Sequence, residues 1–267
     1  MADVRLLPGT RGRIAVHTWP HPAPRHLALL VHGYGEHLGR YEEVAGVLHA
    51  RGAVVVGPDH AGHGLSDGER VLVEDFEDVV TDVETVLDRA RAEHPGLPLV
   101  VVGHSMGGLI AARLAQRRSA DLAALVLSAP VLGEWAVPGR LLAHDVIPDV
   151  PISPAALSRD PSVGAAYEAD PLVWHGPMKR ATLEAFAKTL RTVAGGGDVG
   201  RVPVLWLHGD ADLLVPLAES RPGVEALSGG ALTSRVYPGA RHEVFAETNR
   251  AEVFGDLTRF LDGAVAR

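Results

Sequence analysis

The chain has 267 residues, 46% of them hydrophobic, a formal net charge of −8, fourteen histidines and no cysteine. That length and apolar fraction suit one large core, or at most two modest ones, and do not suit disorder. The acidic balance leaves no basic face to hold a polyphosphate, which sets nucleic acid aside as a partner. The missing cysteine excludes disulfides, a thiolate nucleophile and zinc–thiolate sites, so any nucleophile is an oxygen or a nitrogen.

The first twenty residues scatter charges among short apolar pairs and lack the apolar run of a secretory leader. No window approaches the roughly twenty apolar residues of a spanning helix. Both features predict a cytoplasmic protein, one that can still touch a lipid surface peripherally. Continuous apolar runs at 27–31, 53–56, 99–102, 122–127 and 204–207 read as strands buried on both faces, the mark of a parallel sheet. Between the second and third lies 75–93, where Val79, Val80, Val83, Val86, Leu87 and Ala90 recur at helical spacing and Asp82, Asp88, Arg89 and Arg91 are expected to face away. His94, Pro95 and Gly96 end that helix. The alternation predicts an α/β fold with helices on both faces of a mostly parallel sheet and a site at the strands' C-terminal edge.

From about 131 to 200 the alternation stops, and prolines at 138, 148, 151, 154, 161, 171 and 177 interrupt any long element. This stretch reads as an inserted cap (lid) on a single domain spanning 1–267. It contains a helical piece at 180–193. Its first part, 131–157, is rich in Val, Leu, Ile, Ala and Pro and predicts an apolar mouth able to meet lipid.

Gly103-His104-Ser105-Met106-Gly107 follows the strand at 99–102 directly, and a helical pattern begins at once. A serine on a sharp strand-to-helix turn needs glycines two residues away on either side, and the helix start aims amides at any anion formed there. Ser105 is the candidate nucleophile. It needs a base, and the chain order of this arrangement is serine, acid, histidine. His242 lies after the strand-like 233–237 and before the last helical pattern, where a loop reaches the sheet edge. The acid belongs after 204–207, where Asp210 and Asp212 compete; the spacing G-x-x-D-x-x-V-P selects Asp212 and leaves Asp210 as a turn residue. Two backbone amides complete the chemistry, Met106 after the nucleophile and Tyr34 in His32-Gly33-Tyr34-Gly35. His32 reads as a structural hydrogen-bonding residue of that loop.

His32-Gly33-Tyr34-Gly35-Glu36-His37 with Arg40 and Tyr41, the run from Asp59 to Ser66, GHSMGG from Gly103, and the stretches 157–160 and 167–172 together resemble the monoacylglycerol lipases, bacterial type, across about 12–262. The resemblance implies an α/β-hydrolase fold, Ser105, Asp212 and His242 as catalytic triad, and Tyr34 and Met106 as oxyanion donors. It also implies hydrolysis of a fatty acyl ester of glycerol through an acyl-serine, with no metal or organic cofactor. The family's glycerol-contacting polar residues fall on Glu36, Arg40 and Tyr167. Phe245 departs from the pattern, standing where some members carry a histidine. Asp59, His60 and His63 read as structural. A lipid ester is thus the expected partner, with peripheral membrane contact through the cap, and nothing in the sequence sets an oligomeric state. Two other readings stay open: a broad carboxylesterase or lysophospholipase with the same triad, and a ligand receptor that keeps the fold with little turnover.

Overall fold

The computed structural model describes residues 2–265. Strands β1 (Asp3–Gly9) and β2 (Gly12–Trp19) form an antiparallel hairpin at one edge of an eight-stranded sheet. Then come β3 (His26–Val31), α1 (Glu42–Ala50), β4 (Ala53–Pro58), α2 (Phe76–Glu93), β5 (Leu99–His104), α3 (Met106–Arg118) and β6 (Leu122–Ser128). The strand order is β1-β2-β4-β3-β5-β6-β7-β8, parallel from β4 onward, with β7 (Val204–Gly209) and β8 (Leu232–Tyr237) separated by α7 (Leu217–Leu227). The closing helix, α8, is Arg250–Val265.

The central strands β3, β4, β5 and β7 are buried at every residue, because helices cover both faces. Val44 and Leu48 of α1 and Val253, Phe254, Leu257 and Leu261 of α8 pack on one face; α2 and α3 pack on the other. Each fully buried Leu, Val or Phe contributes about 1.5–3 kcal/mol relative to exposure. Helix α2 begins where Asp75 caps it, the side chain accepting the Glu77 amide, and its apolar stripe faces the sheet as the spacing predicts. Asp82 does not face away. It is buried and accepts both the amide (2.7 Å) and the hydroxyl (3.1 Å) of Thr10, which anchors the turn of the β1–β2 hairpin on α2.

Between β6 and β7 lie α4 (Val137–Leu142), a 3-10 turn (Pro154–Ala156), α5 (Pro161–Ala169) and α6 (Arg180–Gly195). Helix α6 joins the core: Phe186 packs on Phe76 at 4.7 Å between ring centres, and Thr182 accepts the Val73 amide and donates to the Val71 carbonyl. Residues 131–179 stand above the C-terminal edge of the sheet instead. Trp174 donates its amide to the Gly35 carbonyl (2.8 Å), and His37 Nε2 meets Asp170 at 2.8 Å, so this segment is tied to the loop after β3. Among the described residues no helix is long and apolar enough to cross a membrane.

Candidate active site

Ser105 sits between β5 and α3 with φ 53° and ψ −117°, a region that costs a non-glycine residue about 1–3 kcal/mol. Its surroundings hold it there. The Ser105 amide donates to the Ser128 carbonyl (2.9 Å), and its own carbonyl accepts from Gly108 (2.9 Å) and Val131 (3.0 Å). The flanking glycines are steric necessities: a Cβ on Gly103 would lie 2.4 Å from the Gly107 carbonyl oxygen, and one on Gly107 2.0 Å from that of Val31.

The loops after β7 and β8 bring Asp212 and His242 together. His242 Nδ1 donates to Asp212 Oδ2 at 2.8 Å, which leaves Nε2 for the serine side of the site. Asp212 Oδ1 accepts the amides of Leu214 (2.9 Å) and Val215 (3.0 Å). His208 adds a further donor that sequence reasoning does not reveal. The Trp206 indole donates to His208 Nδ1 at 3.0 Å, so Nε2 carries the proton; it donates to the Val215 carbonyl (2.8 Å) and lies 3.4 Å from Asp212 Oδ2. Burial pushes the Asp212 carboxyl up, but His242 and His208 outweigh it and hold the group well below the usual carboxylate range. For His242 the balance is reversed: burial pushes its pKa down, and the charge and hydrogen bond of Asp212, with Glu243 and Glu36, bring it above the ordinary imidazole value. Asp210 is exposed and accepts the Gly239 amide at 2.6 Å, away from this constellation.

His104 lies against His242, ring centres 4.7 Å apart, and meets the Ser128 hydroxyl at 3.1 Å. Burial and the neighbouring His242 push its pKa down to about 3, so it packs as a neutral ring. Met106 is the first residue of α3, and its amide is one of the unpaired donors of a helix start. The Tyr34 loop is adjacent, since a Cβ on Gly33 would lie 3.4 Å from the Ser105 Cβ. His32 holds this loop: Nδ1 donates to the Gly33 carbonyl (2.8 Å) and Nε2 accepts the His60 amide (3.0 Å). Asp59 accepts the Leu38 amide (2.8 Å) and the Leu65 amide (2.9 Å), fixing the neighbouring loop.

Glu36, Arg40 and Tyr167 line the same cavity as Ser105 and His242, a space of about 510 Å³. They are not equivalent. Glu36 Oε1 accepts the Gly33 amide (2.7 Å) and the Tyr41 hydroxyl (2.6 Å), while Oε2 takes Arg40. Arg40 Nη2 also reaches both oxygens of Glu243, at 2.9 and 3.0 Å, and its guanidinium lies 5.3 Å from the Tyr167 ring centre. Burial and the Glu36 charge push Glu243 up, whereas Glu36, with its donors, stays below the usual range. Tyr167, a buried residue of the cavity wall, makes no hydrogen bond through Oη among the described residues, and neither does Tyr34 Oη in the same cavity. Phe245 stacks on Phe254, 5.8 Å between ring centres. Glu243 is the partner that sequence reasoning misses; the only available signal is an acid directly after the candidate base. Most of the remaining wall is apolar, including Val131, Trp135, Leu141, Ile152, Leu157 and Phe186, with Arg140 and Ser153 also on it.

A strained serine on a strand-to-helix turn, an imidazole bonded to a buried carboxylate and two amides beside the serine define a serine hydrolase of the α/β-hydrolase fold. The family model described as "Serine aminopeptidase, S33" matches residues 22–249. The chain is 37% identical to the monoacylglycerol lipase of Mycolicibacterium smegmatis over 93% of its own length and 92% of that protein. It is 34% identical to the monoglyceride lipase of Homo sapiens over 85% of its length and 78% of that protein. The solved structure of Paleococcus ferrophilus monoacylglycerol lipase superposes with a TM-score of 0.79 at 27% identity, covering 95% of this chain and 98% of that one. The chain belongs to the S33 hydrolase family and, within it, to the monoacylglycerol lipases.

Proposed function

We propose that this protein hydrolyses monoacylglycerol to glycerol and a free fatty acid through an acyl-Ser105 intermediate. The observation that carries the reading is the 2.8 Å bond from His242 Nδ1 to the buried Asp212, beside a serine that opens into an apolar cavity with a polar end. On this reading His242 Nε2 takes the hydroxyl proton as Ser105 Oγ attacks the ester carbon. The oxyanion forms against the amides of Tyr34 and Met106. The proton passes to the glycerol oxygen as the C–O bond breaks, leaving acyl-Ser105. Water then repeats the sequence from the same side, and the fatty acid leaves with Ser105 restored.

The whole chain is one domain on this reading, with the insertion at about 131–200 as its cap; residues 131–179 roof the acyl cavity. The apolar wall takes the acyl chain. At the polar end Tyr167 Oη is a free group for a glycerol hydroxyl, while Glu36 and Arg40 shape that end and are largely engaged with each other, with Gly33 and with Glu243. Val150 and Leu213 line the cavity and are 66% and 79% exposed, a rim suited to contact with a lipid surface. Turnover of monoacyl-, diacyl- and triacylglycerols, lysophospholipids and an aminoacyl anilide, each against Ser105→Ala, tests the proposal. Monoacylglycerol is expected to lead the panel and Ser105→Ala to abolish its cleavage. Faster cleavage of lysophospholipid or anilide would overturn the substrate assignment.

A further inference from the structure

The loop that carries His242 follows β8, the outermost strand of the sheet, and leans on residues 155–160, the foot of the 131–179 segment. The His242 amide points at the Ala156 carbonyl (3.4 Å), the Glu243 amide donates to that of Leu157 (2.8 Å), and Arg241 Nη1 donates to that of Ser158 (2.9 Å). At the centre of this seam is Glu247, completely buried and distant in role from the triad. Its Oε1 accepts the backbone amide of Arg241 (2.8 Å), the residue directly before the base, and the backbone amide of Arg159 (3.1 Å). Its Oε2 accepts Arg159 Nε (2.8 Å) and the Thr248 amide (2.8 Å). One carboxylate therefore joins the base's own loop to the foot of the roof over the cavity. A buried carboxylate held by these donors is stable only while they stay in place.

We propose that Glu247 is a positioning residue for His242, acting through the Arg241 amide and Arg159 to hold the imidazole in register with Asp212 and Ser105. The inference rests on the triad reading given above. An amide at position 247 cannot replace the carboxylate: one end would present N–H groups to Arg159 Nε and the Thr248 amide, or to the Arg241 amide, and donor would face donor. The loop would relax at its junction with His242, and a displacement of the order of 1 Å is enough to cost roughly a hundredfold in rate. Acylation and deacylation both use His242, so the loss falls on kcat rather than KM.

The test uses Glu247→Gln and Arg159→Met on a nitrophenyl ester, with kcat, KM and the pH dependence of kcat/KM recorded beside Tm. Wild type comes first; absence of ester turnover there would overturn the function and not this inference. In the variants kcat is expected to fall roughly ten- to a hundredfold, with KM changing less than about threefold. The limb of the profile that belongs to His242 should move toward acid by about half a pH unit or more, because an imidazole set back from Asp212 loses what raises it. The double variant should lose less than the product of the two single losses, as members of one unit do. Folded variants with unchanged kcat and an unmoved limb, whatever their Tm, would overturn the proposal. If Glu247→Gln does not fold, Arg159→Met carries the test, since it leaves Glu247 bonded to the Arg241 amide.

Discussion

Arg40 grips both oxygens of Glu243 across 203 residues of sequence, and its other arm holds Glu36, which in turn accepts the Gly33 amide of the loop beside Ser105. Removing the guanidinium leaves two buried carboxylates facing each other, so Arg40→Met should destabilise the protein by about 3–5 kcal/mol. Glu243→Gln leaves Arg40 paired with Glu36 and should cost less, about 1–2 kcal/mol. Urea unfolding ranks the two. Because the Gly33 loop moves with Arg40, Arg40→Met should also slow nitrophenyl and glyceryl esters by similar factors; loss confined to the glyceryl ester would give Arg40 a direct contact with glycerol.

Tyr167 makes the opposite forecast. Its hydroxyl is unpaired in the cavity wall, so Tyr167→Phe removes nothing the fold uses and should leave Tm within about 2 °C. A glycerol hydroxyl that loses its partner there should cost roughly 1–2 kcal/mol in kcat/KM, a five- to thirtyfold loss, on monoacylglycerol and little on a nitrophenyl ester of the same acyl length.

The two aspartates of the β7 loop separate cleanly. Asp212→Asn should lower kcat by about 10⁴, because an amide at 2.8 Å from Nδ1 no longer selects the tautomer that accepts the serine proton. Asp210→Asn loses only part of a bond to the Gly239 amide and should stay within about threefold of wild type. Single-turnover acylation measures both, and a reversed ranking would move the acid to Asp210.

The pH dependence follows from opposite shifts in neighbouring histidines. His242 is raised, so kcat/KM should climb with pH through a midpoint above 6.5, and Glu243→Gln should bring that midpoint down. A midpoint below 6 would contradict the geometry. His60, His63 and His104 are instead held down, to about 3, 4 and 3, chiefly by burial. They are neutral in both states at pH 7. Below 6.5 the unfolded chain takes up their protons and the folded one does not, so each removes about 1.4 kcal/mol of stability per pH unit down to its folded value. His242 has the opposite sign and adds stability only as pH falls to 6.5, with no further change below it, while the buried His32, also held well below 6.5, adds to the loss. Unfolding free energy measured from pH 7 to 5 should therefore fall, most steeply below 6.5.

The parallel sheet was legible because burial on both faces writes itself into continuous apolar runs, and the order of Ser105, Asp212 and His242 follows from which loops meet at one sheet edge. The β1–β2 hairpin was not: β1 is an edge strand, largely exposed, and carries no burial pattern to read. Asp82 looked like a surface acid because its partner, Thr10, lies 72 residues away. Helix α6 sits inside a proline-rich stretch that reads as insertion, yet Phe186 places it in the core. Glu36 and Arg40 are four residues apart, but their spacing says nothing of Glu243 or Gly33; only the fold brings those to them. Pairings set by distant chain segments are what periodicity does not encode.

On the proposed function, the bond from Glu36 to the Gly33 amide couples recognition of the alcohol to rate. A designer who widens the polar end of the cavity to admit a bulkier alcohol, by trimming Glu36 or Arg40, also slackens the loop that presents the Tyr34 amide. On the proposed function, altered selectivity obtained there is expected to come with a slower enzyme, whereas Leu141 belongs to the apolar part of the lining. Preference for the alcohol and turnover are then expected to change together.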